Sequence, residues 1–320
     1  MECSSHALDQ DRVAGIPFSA ALFTNLTQDH LDYHGTMEAY YQAKAKLFLE
    51  QPRTDKIAAI NADDPYGRKL LAAMAAKGFS PVGYGLDPAN AVAGTRHLYG
   101  KVLSCSTRGL HLEMEYEGRT WRMDSPLVGA FNASNLLAVQ AYLLQSGFAA
   151  ESLACLEGFH GVPGRLERVR NDKGLDVFVD YAHTPDALTK TLSALRDVGF
   201  SRVITVFGCG GNRDRTKRPK MARAAAALSE VVVLTSDNPR KEDPLAIMAD
   251  ALPGFEGAPS GVEIREEADR RKAIAIGVSL MRPGDALVVA GKGHESYQII
   301  GETKYSFSDQ DTLREILSCR

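Results

Sequence analysis

The sequence contains few cysteines, and none of them stands in a paired arrangement. Five occur among the 320 residues, at Cys3, Cys105, Cys155, Cys209 and Cys319, and no two form a C-x-x-C pair. A zinc site or a disulfide framework uses closely and regularly spaced cysteines. The scattered positions therefore predict reduced thiols, as in a cytoplasmic protein.

Long apolar runs and a strong net charge are also lacking. No run approaches the roughly 18 apolar residues that a membrane-spanning helix requires. The first residues lack the basic-then-apolar pattern of a signal peptide. The net charge is −3, whereas a nucleic-acid-binding protein needs a basic surface. We therefore expect a cytoplasmic monomer that binds no nucleic acid and does not insert into a membrane.

The composition is that of an ordinary globular protein, with 44% hydrophobic and 24% charged residues. A chain of this length is expected to form two domains. In the second half, short Val-rich runs alternate with helical stretches, which predicts an α/β fold with a doubly wound, largely parallel sheet. The predicted strands are residues 177–180, 203–207, 231–235 and 286–290, and the predicted helices are 186–198, 219–228 and 245–252.

The first half has weaker but readable signals, and a linker separates it from the second half. The Gly- and Pro-containing stretch FHGVPGRLERV predicts a boundary that leaves domains 1–162 and 163–320. Before it we expect a helix over 37–48, a buried strand over 56–61, a helix over 66–77, a hairpin over 110–123 and a helix over 136–146.

Lys44 lies on the apolar face of the first of these helices. Met37, Tyr41, Lys44 and Phe48 recur three or four residues apart, which is the spacing of one helical face. Burial favours the neutral amine, and a neutral amine can add carbon dioxide to form a carbamate, an oxygen anion suited to magnesium. The alternative is that the side chain extends its ammonium to water.

Polar segments follow all four predicted strands of the second half, where ligands of such sheets gather. They are DYAHTP from residue 180, GCGGNR from 208, SDNPR from 236 and GKGHE from 291. Taken alone, the first three have structural alternatives. These are a buried aspartate at the strand end for the first, a solvated basic face for the second, and a turn with an exposed arginine for the third. The glycines of GKGHE do not have the phosphate-loop spacing G-x-x-x-x-G-K-[ST].

Seven patterns in the same order resemble the Mur ligases, which build the peptide stem of bacterial peptidoglycan. The most specific is T-N-L-x-x-D-H-L-D-Y-H-G, which includes Asp29 and is followed by Lys44 fourteen residues after His30. The others are E-x-S-S-H-A-L at the start, G-x-x-N-x-x-N from 129, V-P-G-R-x-E from 162, and the D-Y-A-H-x-P, D-N-P-R and G-K-G-H-E segments. The resemblance implies the C-terminal part of a P-loop-type ATPase central domain, followed by a Rossmann-like C-terminal domain.

The resemblance also implies roles for individual residues. The cofactors would be ATP and Mg²⁺, with His30 and the carbamylated Lys44 as catalytic residues and with Glu2, His30 and Lys44 as metal ligands. Asn132, Asn135, Asp180 and His183 would contact the nucleotide, and Ser4, Gln10 and Arg12 the UDP-sugar dipeptide. Arg213, Asp237, Asn238, Pro239, Arg240, Gly291 and Glu295 would hold the amino acid. Judged from the residues alone, the Ser-Ser-His cluster and the two asparagines would serve as helix caps.

The implied activity is that of an ATP-dependent acid–amino-acid ligase. Within the family, a complete D-N-P-R pattern marks the members that add meso-diaminopimelate, because its arginine holds a second carboxylate that lysine does not have. One departure is large, since neither the N-terminal UDP-binding domain of the family nor the G-x-x-G-K-[TS] loop that opens its central domain occurs in these 320 residues. We therefore expect the chain as written to bind diaminopimelate weakly at most and not to turn over ATP. A non-catalytic diaminopimelate-binding remnant, a folylpolyglutamate synthase relative and an NAD-dependent oxidoreductase are the alternatives.

Overall fold

The computed structural model describes residues 1–27, 30–50 and 57–318. Asp29 and Cys319, which were named above, and residue 56, the first of the strand predicted over 56–61, lie outside the described residues. The chain divides into two compact units. The first comprises Met1–Cys105, Gly109–Pro126 and Ala130–Phe159, and the second Ser106–Arg108, Leu127–Gly129 and His160–Arg320.

The first unit is built on a six-stranded sheet in the order β1-β2-β3-β4-β5-β6. Its strands are β1 (Ala20–Phe23), β2 (Ile57–Asn61), β3 (Val82–Gly85), β4 (Arg96–Ser106), β5 (Gly109–Tyr116) and β6 (Arg119–Ser125). The first four strands are parallel and the last two form an antiparallel hairpin. The helices are α1 (Ser5–Asp9), α2 (Leu31–His34), α3 (Met37–Leu49), α4 (Pro65–Ala76) and α5 (Phe131–Gln145).

Helix α3 forms where the apolar periodicity predicts it. Thr36 caps its first turn by accepting a hydrogen bond from the Ala39 N–H at 3.1 Å. Tyr41 and Phe48 are almost fully buried, and Lys44 is half-buried on the same helix. The strand predicted over 56–61 is confirmed for residues 57–61, and the predicted hairpin is confirmed as well.

Two features of the first unit differ from the prediction. Strands β1 and β4 were not predicted, and α5 begins at Phe131 rather than at 136. Its N-cap is Ala130, and no side chain caps it. The capping role considered for Asn132 and Asn135 is therefore wrong, because both lie inside the helix.

The second unit contains the predicted parallel sheet, in the order β11-β10-β9-β12-β8-β7, and every pair except β7–β8 is parallel. Its strands are β7 (Glu167–Arg168), β8 (Asp176–Asp180), β9 (Val203–Cys209), β10 (Val231–Ser236), β11 (Glu263–Glu266) and β12 (Ala286–Ala290). A separate hairpin consists of β13 (Tyr297–Ile300) and β14 (Thr303–Ser306). The helices are α6 (Pro185–Asp197), α7 (Lys217–Leu228), α8 (Pro244–Ala251), α9 (Arg270–Ser279) and α10 (Asp309–Ser318).

The four predicted strands are the four central ones, which confirms the α/β prediction. Every residue of β9, β10 and β12 is buried, as expected of parallel strands covered on both faces. β11, the hairpin, α9 and α10 were not predicted. β11 is a largely exposed edge strand with one aliphatic residue, Ile264, so it has no apolar run to detect.

No helix in the described part of the chain is long and apolar enough to cross a membrane. The structure shows thiols at Cys3, Cys105, Cys155 and Cys209.

Candidate functional site

The polar segments of the second unit meet at one edge of its sheet. β8, β12, β9 and β10 are neighbours and run in the same direction, so their carboxyl ends lie side by side. The loops that follow them line a cavity of about 530 Å³. Its lining includes Tyr181, His183, Arg213, Asp237, Asn238, Arg240, Gly291 and Glu295. Three of the four loops were predicted to hold one ligand, and the geometry brings them together.

The loop after β10 is held by the β13–β14 hairpin. The Arg240 N–H donates to the Ile299 carbonyl at 3.0 Å, and the Gly301 N–H donates to the Arg240 carbonyl at 2.7 Å. The Gln298 amide donates to the Asp237 carbonyl at 2.7 Å. Asp237 and Asn238 are buried, while Arg240 is half-buried. The hairpin thus fixes the backbone from which three predicted site residues project.

The loop after β9 packs against the same segment, and its glycines make this possible. A Cβ at Gly211 would lie 1.9 Å from the Pro239 carbonyl oxygen, so no other residue fits there. The Arg240 guanidinium donates to the Gly211 carbonyl at 2.8 Å. A Cβ at Gly210 would lie 3.1 Å from that guanidinium and 3.7 Å from the Arg213 side chain. Arg213 and Arg240 therefore flank one glycine, and two positive charges face the cavity.

A buried arginine beneath this loop locks its position. Arg218 is 1% exposed and pairs with Asp250 at 2.6 Å and Glu242 at 2.9 Å. Glu242 also accepts a hydrogen bond from the Asn212 N–H. The bond from Arg218, followed by that from Asn212, lowers the pKa of Glu242 to about 2. The solvated basic face considered for the segment after β9 therefore does not describe Arg218, which is buried and paired with carboxylates.

The loop after β12 adds a carboxylate, that of Glu295, to the lining of the cavity. Glu295 Oε2 accepts a hydrogen bond from the Asn238 amide at 2.9 Å and contacts the Lys292 ammonium at 3.2 Å. Gly291 has φ +116°, and a Cβ there would lie 3.0 Å from the Asp237 carboxylate. The cavity lining therefore includes both guanidinium groups and a carboxylate, a combination that suits a ligand carrying both carboxylate and ammonium groups.

Asp237 is enclosed by this arrangement. Burial raises the pKa of its carboxyl group, while the positive charges of Arg270 and Lys292 act in the opposite direction. Its Oδ1 atom has no hydrogen-bond partner among the described residues and lies 3.6 Å from the Lys292 Nζ. The aspartate of D-N-P-R thus contributes to the charge balance beneath the cavity.

The segment after β8 supplies the remaining wall. Asp180 is buried, with Oδ2 accepting from the Leu166 N–H at 2.6 Å and Oδ1 from the Ala182 N–H at 2.8 Å. These bonds are those of the structural aspartate considered above. His183 is exposed, and its Nδ1 donates to the Tyr181 carbonyl at 2.9 Å.

The predicted metal residues lie in the first unit, beside a cluster of histidines. The rings of His6 and His30 are 4.9 Å apart, and those of His34 and Tyr40 are stacked at 5.2 Å. The Lys44 Nζ lies 5.5 Å from the centre of the Tyr40 ring, and the His30 ring lies 5.8 Å from it. His30 and Lys44 thus both lie near the Tyr40 ring. Burial, followed by the charge of His6, lowers the pKa of His34.

The other predicted residues of the first unit are less clearly assembled. Ser4 caps α1 by accepting from the Ala7 N–H at 3.2 Å, which is the structural role considered for it. Gln10 donates to the Tyr33 hydroxyl at 3.0 Å, and Glu2 and Arg12 are exposed. Within the described residues, no three His, Cys, Asp or Glu side chains form a group that could hold a metal ion. A carbamate on Lys44 would supply an oxygen ligand beyond that set.

Two family descriptions match the chain. They are the Mur ligase middle domain over residues 1–143 and the Mur ligase glutamate ligase domain over residues 164–293. A UDP-N-acetylmuramoyl-L-alanyl-D-glutamate–2,6-diaminopimelate ligase of Lawsonia intracellularis is 57% identical over 319 residues, which are 100% of this chain and 64% of the relative. The chain belongs to the Mur ligase family. A relative of the same name from Gloeobacter violaceus is 50% identical over an aligned region of 325 residues, and the alignment covers 100% of this chain and 63% of that relative.

Solved structures agree with this assignment. One of a UDP-N-acetylmuramoyl-L-alanyl-D-glutamate–2,6-diaminopimelate ligase is 37% identical, with a TM-score of 0.69, and the match covers 99% of this chain and 63% of that one. A Mycobacterium tuberculosis folylpolyglutamate synthase shares the fold at 23% identity and a TM-score of 0.62, with 87% of this chain and 62% of that one covered. The Mur ligase chain therefore spans just under two thirds of these relatives. The family and fold predictions are confirmed, and the oxidoreductase alternative is set aside.

Two predicted site residues of this Mur ligase have unusual backbones. His30 and Arg240 both have φ +53°, in the left-handed region that side chains with a Cβ rarely adopt. Such strain persists only where the surroundings enforce it, and it is concentrated at functional sites. At Arg240 the hairpin provides that enforcement.

Four charged residues that organise the site were given no role from the sequence. They are Lys292, Arg218, Arg270 and Asp309, which are nearly or fully buried. Only Lys292 had a local signal, because the glycines on both sides of it indicate a closely packed backbone. The others meet partners 20 or more residues away, and no periodicity of the sequence encodes such pairings.

Proposed function

We propose that this Mur ligase chain takes part in the ATP-dependent addition of meso-diaminopimelate to UDP-N-acetylmuramoyl-L-alanyl-D-glutamate. ATP phosphorylates the side-chain carboxylate of the D-glutamate residue. The amine of diaminopimelate then attacks the acyl phosphate to give an amide, with ADP and phosphate as the other products. The names of the Lawsonia and Gloeobacter relatives give these two substrates and the ligase activity, and the acyl-phosphate route is the one that the family resemblance implies.

The observation that carries the proposal is the charge arrangement in the 530 Å³ cavity of the second unit. Diaminopimelate has a carboxylate and an ammonium at the end away from the reacting amine. Arg213 and Arg240 suit the carboxylate, because a guanidinium can bind it with two parallel hydrogen bonds. Glu295 suits the ammonium. Lysine offers no second carboxylate to the arginines, so the cavity should discriminate against it.

The other residues of this subsite have supporting roles in the proposal. Asn238 orients Glu295 through their 2.9 Å hydrogen bond. Asp237 provides negative charge beneath the site, while Pro239 and Gly291 shape the two loops that meet there. Catalysis rests on positioning and on charge stabilisation of the acyl phosphate.

We propose that the DYAH segment of the second unit and the start of α5 in the first unit each supply contacts to the nucleotide. The exposed His183 ring is oriented by its bond to the Tyr181 carbonyl, and Asp180 shapes the loop by its bonds to backbone N–H groups. Asn132 and Asn135 are joined by a 3.1 Å hydrogen bond on one face of α5 and would contact the adenine. Ser4, Gln10 and Arg12 would contact the UDP-sugar dipeptide.

Mg²⁺ would offset the negative charge of the phosphates, held by Glu2, His30 and the carbamate of Lys44. The closeness of both His30 and Lys44 to the Tyr40 ring supports this set. Histidine is an uncommon ligand for so hard a cation, so its role rests on the family.

If Lys44 is carbamylated, the chain equilibrated with ¹³C-bicarbonate should show a carbamate signal in its ¹³C NMR spectrum. The Lys44→Arg variant should not show that signal. A signal of equal intensity in both proteins would contradict the assignment.

The scattered cysteines support a cytoplasmic location. We also propose that the chain is a monomer and that its two domains meet at the boundary between residues 162 and 163.

The proposed function has two tests. Meso-diaminopimelate titrated into the ¹⁵N-labelled chain should shift resonances of the four loops, weakly, whereas lysine should not. Phosphate release with ATP, the UDP-dipeptide and diaminopimelate should be absent, because these 320 residues contain no G-x-x-G-K-[TS] loop. Equal shifts with lysine would refute the substrate proposal, and diaminopimelate-dependent phosphate release would refute the second expectation and the binding-remnant alternative.

A further inference from the structure

We propose that Lys292 is a positioning residue that orients Asn238 and Glu295 for the ligand ammonium. The inference rests on the proposed function for its ligand, but its geometric basis is independent of that ligand. Lys292 is fully buried, with 0% of its surface exposed. A buried ammonium is costly unless each of its protons finds a partner, so its contacts report what it does.

The Lys292 ammonium has three protons and three oxygen neighbours. Its Nζ donates to Asn238 Oδ1 at 3.2 Å and to Glu295 Oε2 at 3.2 Å, and Asp237 Oδ1 lies 3.6 Å away. The Tyr297 ring lies on another side, with its centre 5.7 Å from Nζ. None of these contacts leads to solvent. Lys292 therefore joins the D-N-P-R loop to the G-K-G-H-E loop beneath the cavity.

These contacts fix the orientation of the Asn238 amide. Its Oδ1 faces two groups that can only donate, the Lys292 ammonium and the Ile299 N–H at 2.9 Å. The amide nitrogen must therefore point the other way, and it donates to Glu295 Oε2 at 2.9 Å. A flipped amide would set its N–H groups against two donors. Lys292 thus holds Asn238 in its donating orientation toward Glu295.

The same contacts fix which oxygen of Glu295 is available. Oε2 is engaged by both Lys292 and Asn238, so Oε1 is the oxygen left to receive an ammonium. Glu295 lines the cavity, whereas the buried Lys292 does not. Lys292 accordingly acts through its neighbours and does not contact the ligand.

The matched pair of variants is Lys292→Met and Lys304→Met. Lys304 is exposed and lies over the same Tyr297 ring, 4.4 Å from its centre. Both changes remove one ammonium beside one ring, but only the first breaks the contacts with Asn238 and Glu295. Lys292→Gln, whose shorter amide can still donate to one oxygen, should give a smaller change and serves if Lys292→Met does not fold.

The ligand-free measurement is water exchange of the Asn238 side-chain amide, assigned by its absence in Asn238→Asp. Lys292→Met should speed this exchange by about 10-fold or more, since a charge-assisted bond that resists opening is lost. Lys304→Met should leave it unchanged. Unchanged exchange in Lys292→Met would overturn the inference, whether or not diaminopimelate binds.

The ligand measurement compares meso-diaminopimelate with 2-aminopimelate, which lacks one ammonium. Lys292→Met should weaken diaminopimelate binding by about 10- to 100-fold. The change for 2-aminopimelate should stay within about two- to threefold, the range of a neutral surface substitution. Equal losses for both ligands would indicate a merely structural lysine and would overturn the inference. Failure of the unsubstituted chain to bind diaminopimelate, with amide exchange responding as expected, would refute the proposed function and leave the positioning role supported.

Discussion

Replacing Arg240 by lysine tests whether a guanidinium is what selects a ligand with a second carboxylate. The substitution keeps the positive charge and a long aliphatic stem. It also keeps the backbone bonds to Ile299 and Gly301, because those involve only main-chain atoms. The left-handed φ of +53° is equally unfavourable for both side chains. The only intended change is from a planar fork of donors to a single ammonium.

The expected loss follows from how the fork is used. One guanidinium nitrogen already donates to the Gly211 carbonyl at 2.8 Å. Lysine cannot keep that bond and also give a carboxylate two parallel hydrogen bonds, because its donors share one atom. Losing one charge-assisted bond costs about 1.5–3 kcal/mol, which corresponds to binding of diaminopimelate that is weaker by about 10- to 150-fold.

The assay is an NMR titration of Arg240→Lys with meso-diaminopimelate and, separately, with L-lysine. The preference for diaminopimelate should fall, whereas the response to lysine should stay as it is. Arg223→Lys is the matched control, because Arg223 is exposed on α7 and does not line the cavity. A variant that retains the original preference would refute the assignment of Arg240 to the second carboxylate.

Two further predictions concern the loops around the cavity. Gly164→Ala should lower the thermal stability far more than Gly174→Ala. Both glycines have φ near +70°, but only at Gly164 would a Cβ meet the backbone, since it would lie 2.2 Å from the His294 nitrogen. Equal losses of stability in calorimetry would contradict this. The pKa of Glu242 is about 2 in the folded chain, below its usual 4.5, so its stabilisation is complete above pH 4.5 and is lost as the pH falls toward 2. The stability difference between the unsubstituted chain and Glu242→Gln should therefore shrink over that interval, and a difference that is constant with pH would rule out the pairing with Arg218.

The parts of the site that sequence could predict are those encoded by neighbouring residues. The central strands are short apolar runs, and the rule that ligands bind at the carboxyl ends of parallel strands places Asn238, Arg240 and Glu295 at one edge. Patterns of the family then assign chemistry to those residues. Local composition and fold rules together were enough to locate the cavity.

The parts that sequence could not predict depend on contacts between distant segments. The left-handed conformation of Arg240 is imposed by the β13–β14 hairpin, whose register with the D-N-P-R loop no local pattern reveals. The early start of α5 was missed because Asn132 and Asn135 are common at helix ends. Their side chains instead bond to each other within the helix. Tertiary contacts decided each of these cases.

The buried pair of Arg270 and Asp309 is the most consequential of these distant contacts. Both side chains are 0% exposed and are joined by two hydrogen bonds of 2.8 Å. Arg270 also donates to the Ser236 carbonyl at 3.3 Å and to the Ala290 carbonyl at 3.0 Å. Those carbonyls end β10 and β12, the strands that carry two of the loops proposed to hold the amino acid. The pair therefore has two separable effects, on stability and on the alignment of the strand ends.

Asp309→Asn should reduce the free energy of unfolding by about 3–5 kcal/mol, because it leaves the Arg270 charge buried without its partner. For a unit of this size the melting temperature should fall by roughly 6–20 °C. Asp311→Asn is the control. Its partner Arg314 is exposed, so the loss of unfolding free energy should stay below about 1 kcal/mol.

Arg270→Met combined with Asp309→Leu should recover most of the stability, because a well-packed apolar pair can replace a buried ion pair. It should not recover the preference for diaminopimelate, because neither side chain can donate to the strand-end carbonyls. A double variant that is both stable and selective would show that the pair stabilises the fold without aligning the site.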